Sequence, residues 1–144
     1  MPGTFVYPFT KIDSETRRPM IPVIIENPLT KKRMGVMALL DTGADACLFP
    51  AHLPNSTGHN LKHKDVKTGV NGGIEGNQLP TWKHTFKIHI LEYQKNNIVW
   101  RTSDILVDCV DHNNVPPLLG CRGFLENLCI KFNYKTNRIV IEIP

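Results

Sequence analysis

The chain has 144 residues, of which 41% are hydrophobic and 21% are charged, and its formal net charge is +4 at pH 7. These proportions are ordinary for a globular protein, and a chain of this length can bury roughly 70% of its unfolded surface. Its lysines are scattered instead of forming a stripe, which speaks against a nucleic-acid surface. No apolar run approaches the ~20 residues of a membrane-spanning helix. We therefore predict one domain over residues 1–144, with no nucleic-acid and no membrane partner.

Short apolar segments separated by turn residues predict an all-β architecture. In chain order, the predicted strands cover residues 4–9, 20–26, 33–40, 46–50, 61–68, 76–79, 85–91, 98–107, 129–132 and 138–143. The polar segments 51–60 and 108–117 are predicted loops, and one short helix is predicted near the C-terminus at residues 123–128. Many short strands of this kind are typical of a closed barrel or a sandwich.

The cysteine pattern argues against a zinc site. None of the four cysteines forms a Cys-x-x-Cys pair, and no histidine lies at zinc-finger spacing from them. We therefore expect reduced thiols and no metal. The N-terminus lacks the basic segment and apolar core of a secretory signal, so we expect a cytoplasmic location.

The most informative segment is residues 39–45, with the sequence Leu-Leu-Asp-Thr-Gly-Ala-Asp. An aspartate directly after an apolar strand is unusual, because a carboxylate is seldom buried without a partner. Thr42 can hold a hydrogen bond beside Asp41, and Gly43 lacks the side chain that would keep another backbone away. This is the local chemistry expected of a catalytic carboxylate that meets a peptide.

Residues 39–45 resemble the signature of the retropepsins, the retroviral-type aspartic proteases. Residues 117–120, Pro-Leu-Leu-Gly, followed by Phe124 and Leu125, resemble the second motif of that family, and the glycine-rich residues 69–76 are similar to its flap. The three segments occur in the family's order. The resemblance implies an aspartic endopeptidase with a retropepsin-like barrel and no cofactor.

An aspartic protease needs two carboxylates about 3 Å apart that share one proton, one acting as base on a water and the other as acid on the peptide carbonyl. This chain carries a single Asp-Thr-Gly. The count therefore predicts a symmetric homodimer with Asp41 of each subunit beside the two-fold axis. In the retroviral enzymes the chain termini interleave at the dimer interface, which the resemblance extends to residues 4–9 and 138–143. The methionine start and the strand-like end favour a stand-alone cellular enzyme.

The resemblance also assigns roles to matching residues. Thr42 would hydrogen-bond across the axis, and Gly43 would let its backbone contact the substrate. Asp45 would contact the substrate backbone or pair with an arginine. In the retroviral enzymes that arginine directly follows the glycine of the second motif, whereas here Cys121 takes that place and Arg122 comes next. Either Arg122 turns in to meet Asp45, or the ion pair is absent.

Further substrate contacts are expected from the loop after the catalytic residue, from the flap and from the second motif. The candidates are Ala44, Asp45, Val70, Asn71, Gly72, Gly73, Ile74 and Leu118. Asn71 and Glu75 make the flap tip more polar than is usual in the retroviral enzymes. Asp108 and Asp111 lie in a predicted polar loop, so we expect them to face solvent instead of supplying a second carboxylate.

Two alternatives from other classes stay open. One is a catalytically silent, dimeric peptide-binding module that keeps the cleft and the flap but has lost the geometry of the carboxylate pair. The other is a structural β-domain in which Asp41 only caps a turn. The intact Asp-Thr-Gly-Ala argues against the binding module, because a binding protein has no need for a costly carboxylate pair. A strictly monomeric protein would favour the structural domain.

Overall fold

The structure is a computed structural model that describes residues 2–72 and 78–144. The strands in these residues are β1 (Gly3–Pro8), β2 (Thr10–Lys11), β3 (Arg17–Arg18), β4 (Met20–Glu26), β5 (Arg33–Leu40), β6 (Leu48–Phe49), β7 (Thr68–Gly72), β8 (Gln78–Leu91), β9 (Ile98–Arg101), β10 (Ile105–Cys109), β11 (Leu118–Leu119), β12 (Cys129–Asn133) and β13 (Arg138–Ile143). An α-helix, α1, spans His52–Ser56, and a 3₁₀-helix spans Leu125–Asn127. The described chain is therefore mostly β, which confirms the predicted fold class.

The strands next to residues 39–45 and 117–120 belong to one eight-stranded sheet. Its order is β10-β6-β11-β5-β4-β8-β7, with β9 paired to β8. β10, the first strand of this order, also pairs with β8, the sixth strand. The sheet therefore curls back on itself. The pairs β5–β11 and β6–β10 are parallel. Parallel pairing joins segments that are far apart in the chain, and here it brings the two predicted motifs together.

The core follows from the period-two alternation of the long strands. In β8, the side chains of Phe86, Ile88 and Ile90 are fully buried, as the sequence pattern predicts. Ile139 and Ile141 of β13 are buried in the same cluster, although β13 belongs to a different sheet. Fully burying a side chain of this size stabilises the fold by about 1.5–3 kcal/mol. The two sheets are therefore held together by one shared apolar core.

Both ends of the described chain meet in a three-stranded sheet of order β1-β13-β12. Gly3 of β1 lies opposite Ile143 of β13, and the antiparallel pairing continues to Pro8 opposite Arg138. β12 pairs with the other edge of β13. A strand has only two hydrogen-bonding edges, and both edges of β13 are used within the subunit. These pairings lie within one subunit, and the predicted interleaving of residues 4–9 and 138–143 at a dimer interface stays a prediction.

Two predicted segments in the middle of the chain differ from the structure. The predicted loop at residues 51–60 contains α1. Pro54 is compatible with this helix because it lies in the first turn, where proline is tolerated. Leu53 of the helix is fully buried. The predicted strand at residues 61–68 consists mainly of turns, and only Thr68 belongs to β7. Burial of Leu53 and Pro54 outweighed the polar composition of the helical segment.

Other differences concern where strands break. The predicted strand at residues 98–107 is divided into β9 and β10, because Thr102 between them accepts the Ile88 N–H with its side-chain Oγ1 at 3.0 Å. The predicted strands at residues 76–79 and 85–91 form one strand, β8, from Gln78 onward, and residues 76 and 77 lie outside the described residues. The predicted C-terminal helix is a single 3₁₀ turn.

A group of ionisable side chains, two of them buried, lies where β4 pairs with β5 and β8. Glu26 is 5% exposed and His89 is 1% exposed. The Arg33 Nε donates to Glu26 Oε1 at 2.7 Å, and His89 Nε2 lies 3.1 Å from the same oxygen. Burial lowers the pKa of His89 below its usual range, and the hydrogen bond to Glu26 opposes this only in part. His89 therefore resists protonation in the folded protein.

Acidification is accordingly expected to destabilise the protein. His89 has a lower pKa in the folded state than its unfolded value of 6.5. The contribution of His89 to stability is therefore complete above the unfolded-state pKa and is lost as the pH falls through the folded-state pKa. Urea denaturation should give a lower free energy of unfolding at about pH 5 than at about pH 7.5.

In the His89→Gln variant, the free energy of unfolding is expected to fall less on acidification than in the wild type, because glutamine does not titrate. The fall should remain measurable, since burial also lowers the pKa of His59. An identical pH dependence in the variant and the wild type would contradict the assignment to His89.

Candidate active site

Asp41 directly follows β5 and is positioned by the parallel pairing of that strand with β11. The Leu39 N–H donates to the Pro117 carbonyl oxygen at 2.8 Å, and the Asp41 N–H donates to the Leu119 carbonyl oxygen at 3.0 Å. The two segments that the sequence singled out, residues 39–45 and 117–120, therefore lie side by side.

The carboxylate of Asp41 is half-buried at the start of a tight turn. Its Oδ1 accepts the Gly43 N–H at 3.0 Å, and the Asp41 carbonyl oxygen accepts the Ala44 N–H at 3.2 Å. Among the described residues, Oδ2 has no hydrogen-bond partner, and Thr42 is exposed beside it. One oxygen of the carboxylate is thus fixed by the backbone, and the other is available to a water or to a second carboxylate.

The loop after Asp41 is joined to the second motif through the main chain. The Cys121 N–H donates to the Ala44 carbonyl oxygen at 2.9 Å, and the Arg122 N–H donates to the Asp45 carbonyl oxygen at 2.8 Å. The side chains of Asp45 and Arg122 form no ion pair with each other, nor with any other residue in the described ranges. The sequence left open whether Arg122 pairs with Asp45, and in the structure this ion pair is absent.

Gly120 makes the closest approach between the two motifs. A Cβ at this position would overlap the carbonyl group of Ala46 and would lie 2.8 Å from the carbonyl oxygen of Ala44. The Gly120 N–H donates to Cys47 Sγ at 3.4 Å, and burial raises the pKa of that thiol to about 11. The thiol is therefore neutral, and only glycine permits this packing of backbone on backbone.

A cavity of about 530 Å³ opens in front of Asp41. The predicted site residues that line it are Asp41, Gly43, Ala44, Asp45, Val70, Asn71 and Leu118. Thr42 does not line the cavity. The predicted contact of Gly72, the last residue of β7, remains a prediction. Gly73 and Ile74 lie outside the described residues, so their predicted contacts remain predictions.

The strand β7 brings an apolar side chain to this cavity. β7 pairs with β8 from Thr68 opposite Trp82 to Gly72 opposite Gln78. Val70 lines the cavity and is nevertheless 63% exposed. An exposed valine in a concave site is suited to contact an apolar group of a ligand.

The cavity also contains an ion pair that the sequence interpretation missed. Asp108 lies in β10 and is 8% exposed, and its Oδ1 is 2.6 Å from Nζ of Lys83, the residue directly opposite on β8. The prediction that Asp108 faces solvent in a polar loop is wrong. A signal was present, because Asp108 continues the apolar run of residues 105–107, much as Asp41 ends one. Asp111, in contrast, is exposed and pairs with Lys62 at 3.0 Å.

Metal clusters and membrane helices are both absent from residues 2–72 and 78–144. No three His, Cys, Asp or Glu side chains in these ranges are grouped as they would be to hold a metal ion. No helix there is both long enough and apolar enough to cross a membrane. The four cysteines are free thiols, with Cys47 and Cys109 buried and Cys121 and Cys129 exposed.

Residues 15–130 match a family model described as retroviral aspartyl protease. The chain belongs to this family. Among solved structures, it is similar to a retropepsin-like aspartic protease from Rickettsia conorii, with a TM-score of 0.63 and 12% identity over 99% of this chain and 93% of that one. The EIAV protease in complex with the inhibitor HBY-793 gives a TM-score of 0.46 and 21% identity over 77% of this chain and 88% of that one. A search of curated proteins gives no match.

The family match confirms the resemblance that residues 39–45 and 117–120 suggested. At 12% identity, the similarity to the Rickettsia conorii protein concerns the fold alone, and it confirms a retropepsin-like fold over nearly the whole length of the chain.

Proposed function

We propose that this retropepsin is an aspartic endopeptidase that hydrolyses peptide bonds as a homodimer. The observation that carries the proposal is the Asp41 carboxylate on the wall of a cavity of about 530 Å³, with Oδ1 held by the Gly43 N–H and Oδ2 without a partner in the described residues. A half-buried carboxylate with one fixed oxygen at a concave site is suited to activate a water. The family membership supports the same chemistry.

Hydrolysis requires a second carboxylate, which a symmetry-related Asp41 would supply. In the proposed mechanism, the ionised Asp41 takes a proton from a water, and the water oxygen bonds to the peptide carbonyl carbon. The protonated Asp41 donates its proton to the carbonyl oxygen in the same step. The resulting tetrahedral intermediate then collapses as a proton passes to the leaving amine, which breaks the C–N bond. Thr42 would hydrogen-bond across the axis and hold the two loops together, and the Gly43 backbone would contact the substrate.

The substrate would bind as an extended peptide between β7 and the loop that follows Asp41. Asp45 and Asn71 offer polar groups to a peptide backbone, and Ala44, Val70 and Leu118 offer apolar contacts to its side chains. The contacts that rest on the sequence alone are those of Gly72, Gly73 and Ile74. The apolar contacts from Ala44, Val70 and Leu118 support a peptide substrate with apolar residues near the scissile bond.

We also infer that residues 1–144 act as one protease domain in the cytoplasm. The pairing of β1 with β13 and the core shared by both sheets support a single domain. Four free thiols are typical of a reducing compartment and support the location. The mechanism uses no cofactor, metal or nucleic acid.

Dilution is expected to inactivate the enzyme, because each subunit carries half of the catalytic pair. Specific activity on a peptide library should fall as the subunit concentration drops below the dimer dissociation constant. Sedimentation velocity on the same samples should show the mass fall from twice 16.3 kDa to 16.3 kDa over the same concentration range.

The other outcomes of this experiment separate the alternatives. An active monomer would contradict the shared carboxylate pair. A dimer that binds peptides but cleaves none would favour the silent binding module. A monomer that cleaves nothing, even with a peptide inhibitor present, would favour the structural domain, since the hydrogen bond from Gly43 to Asp41 is also one that a turn-capping aspartate makes.

A further inference from the structure

A second cavity, of about 540 Å³, adjoins the cavity in front of Asp41. The two cavities share four wall residues, which are Ala46, Lys83, Asp108 and Arg122. They are consecutive parts of one groove, with the Lys83–Asp108 ion pair where they meet. A peptide that lies in the first cavity can therefore extend a side chain into the second.

The acidic groups of the second cavity are all engaged. Asp108 is 2.6 Å from Lys83, and Asp104 is 3.7 Å from Lys87, which does not line the cavity. Glu126 accepts a backbone N–H at 2.9 Å. Lysines therefore compensate the charges of Asp104 and Asp108. Glu126 has no ion-pair partner among the described residues, and a neutral N–H does not cancel its charge. The two remaining basic side chains of the wall outnumber it by one.

Two basic side chains of the same cavity are not compensated. Lys67 and Arg122 line it, and neither side chain has an ion-pair or hydrogen-bond partner among residues 2–72 and 78–144. Ile105 and Leu106 add apolar surface to the wall, and Leu106 is 53% exposed. Arginine binds a carboxylate with two parallel hydrogen bonds, and lysine binds one as a point charge. The chemistry that fits this cavity is a carboxylate on a short aliphatic stem.

We propose that this second cavity is a substrate subsite that binds an acidic side chain of the peptide through Arg122 and Lys67. We call it the acidic-residue subsite, lined by Lys67, Lys83, Asp108 and Arg122. The inference rests on the proposed protease function and adds a substrate class to it. In a symmetric homodimer the subsite occurs twice, once on each side of the scissile bond. A preference for Glu or Asp is therefore expected at two substrate positions.

A positional peptide library with Glu, Gln or Lys at each position tests the proposal. At the two positions, the wild type should cleave the Glu peptide with a kcat/KM about tenfold above that of the Gln peptide. The double variant Lys67→Gln/Arg122→Gln should bring this ratio close to one. The double variant Lys67→Glu/Arg122→Glu should shift the preference to Lys.

The matched control is Lys32→Gln/Lys135→Gln, which removes two positive charges at exposed positions outside both cavities. It should keep the wild-type Glu preference, which separates a local subsite from general attraction by the net charge of +4. A control that loses the preference would overturn the proposal, as would equal cleavage of the Glu, Gln and Lys peptides by the wild type.

The two levels of the proposal fail in different ways. Cleavage without any acidic preference overturns the subsite and leaves the protease function standing. If the wild type cleaves no peptide, the protease function fails, and fluorescence anisotropy with the same labelled peptides decides the subsite. Tighter binding of the Glu peptides, lost in Lys67→Gln/Arg122→Gln, would support it, and equal binding would overturn it.

Discussion

Replacing Asp41 by asparagine is expected to abolish peptide cleavage while the fold and the dimer persist. The amide keeps the size of the carboxylate, and its oxygen can still accept the Gly43 N–H that Oδ1 accepts in the wild type. It can neither take a proton from water nor return one to the substrate. Since general acid–base catalysis contributes 10²–10⁴-fold and both members of the pair are lost, we expect kcat/KM to fall by roughly 10³-fold or more.

The matched control is Asp65→Asn, which removes an aspartate whose side chain is 79% exposed and which lies outside both cavities. This variant should cleave peptides like the wild type. Circular dichroism and sedimentation should show that both variants retain the wild-type fold and mass. Cleavage that survives in Asp41→Asn would assign the chemistry to another group.

A mixing experiment with the same variant tests whether the two carboxylates come from different subunits. When Asp41→Asn is present in ninefold excess over the wild type, most wild-type subunits pair with an inactive one. Activity per wild-type subunit should then fall about tenfold after subunit exchange. Activity unaffected by the excess would contradict a shared active site.

The variant Gly120→Ala is expected to lose about 3 kcal/mol of stability or more, together with activity. The added Cβ would meet the carbonyl groups of Ala46 and Ala44. These are backbone atoms that cannot move without breaking the hydrogen bonds from Cys121 and Arg122 to the same loop. The substitution therefore forces the second motif away from the loop of Asp41.

The matched control for this prediction is Gly35→Ala. Gly35 lies in β5, the same strand that delivers Asp41, and a Cβ there meets nothing within 4 Å. Its free energy of unfolding should change by less than about 1 kcal/mol, since alanine restricts the unfolded chain and fits the folded one. Urea denaturation measures both variants. Similar stabilities for the two alanine variants would contradict the close approach at Gly120.

Several features of this retropepsin could be predicted from the sequence because they depend on local physics. The bounds of β4, β5 and β13 agree with the predicted strands at residues 20–26, 33–40 and 138–143. All three strands are mainly apolar, and β4 and β13 are also rich in β-branched residues. β4 ends at the turn-forming residues 27–30. The family was also recognisable, because the segment around Asp41 carries an unusual combination of an apolar strand, a carboxylate and a glycine.

Other features were decided only by the tertiary structure. The burial of Asp108 depends on the pairing of β10 with β8, which puts Lys83 directly opposite it. Likewise, both edges of β13 are paired within the subunit because β1 returns from the far end of the chain to pair with it. No local pattern determines which distant strand a segment will pair with, because register is set by the shared core. For that reason the sequence alone revealed the motif around Asp41, while the charged wall of its groove became visible only in the folded chain.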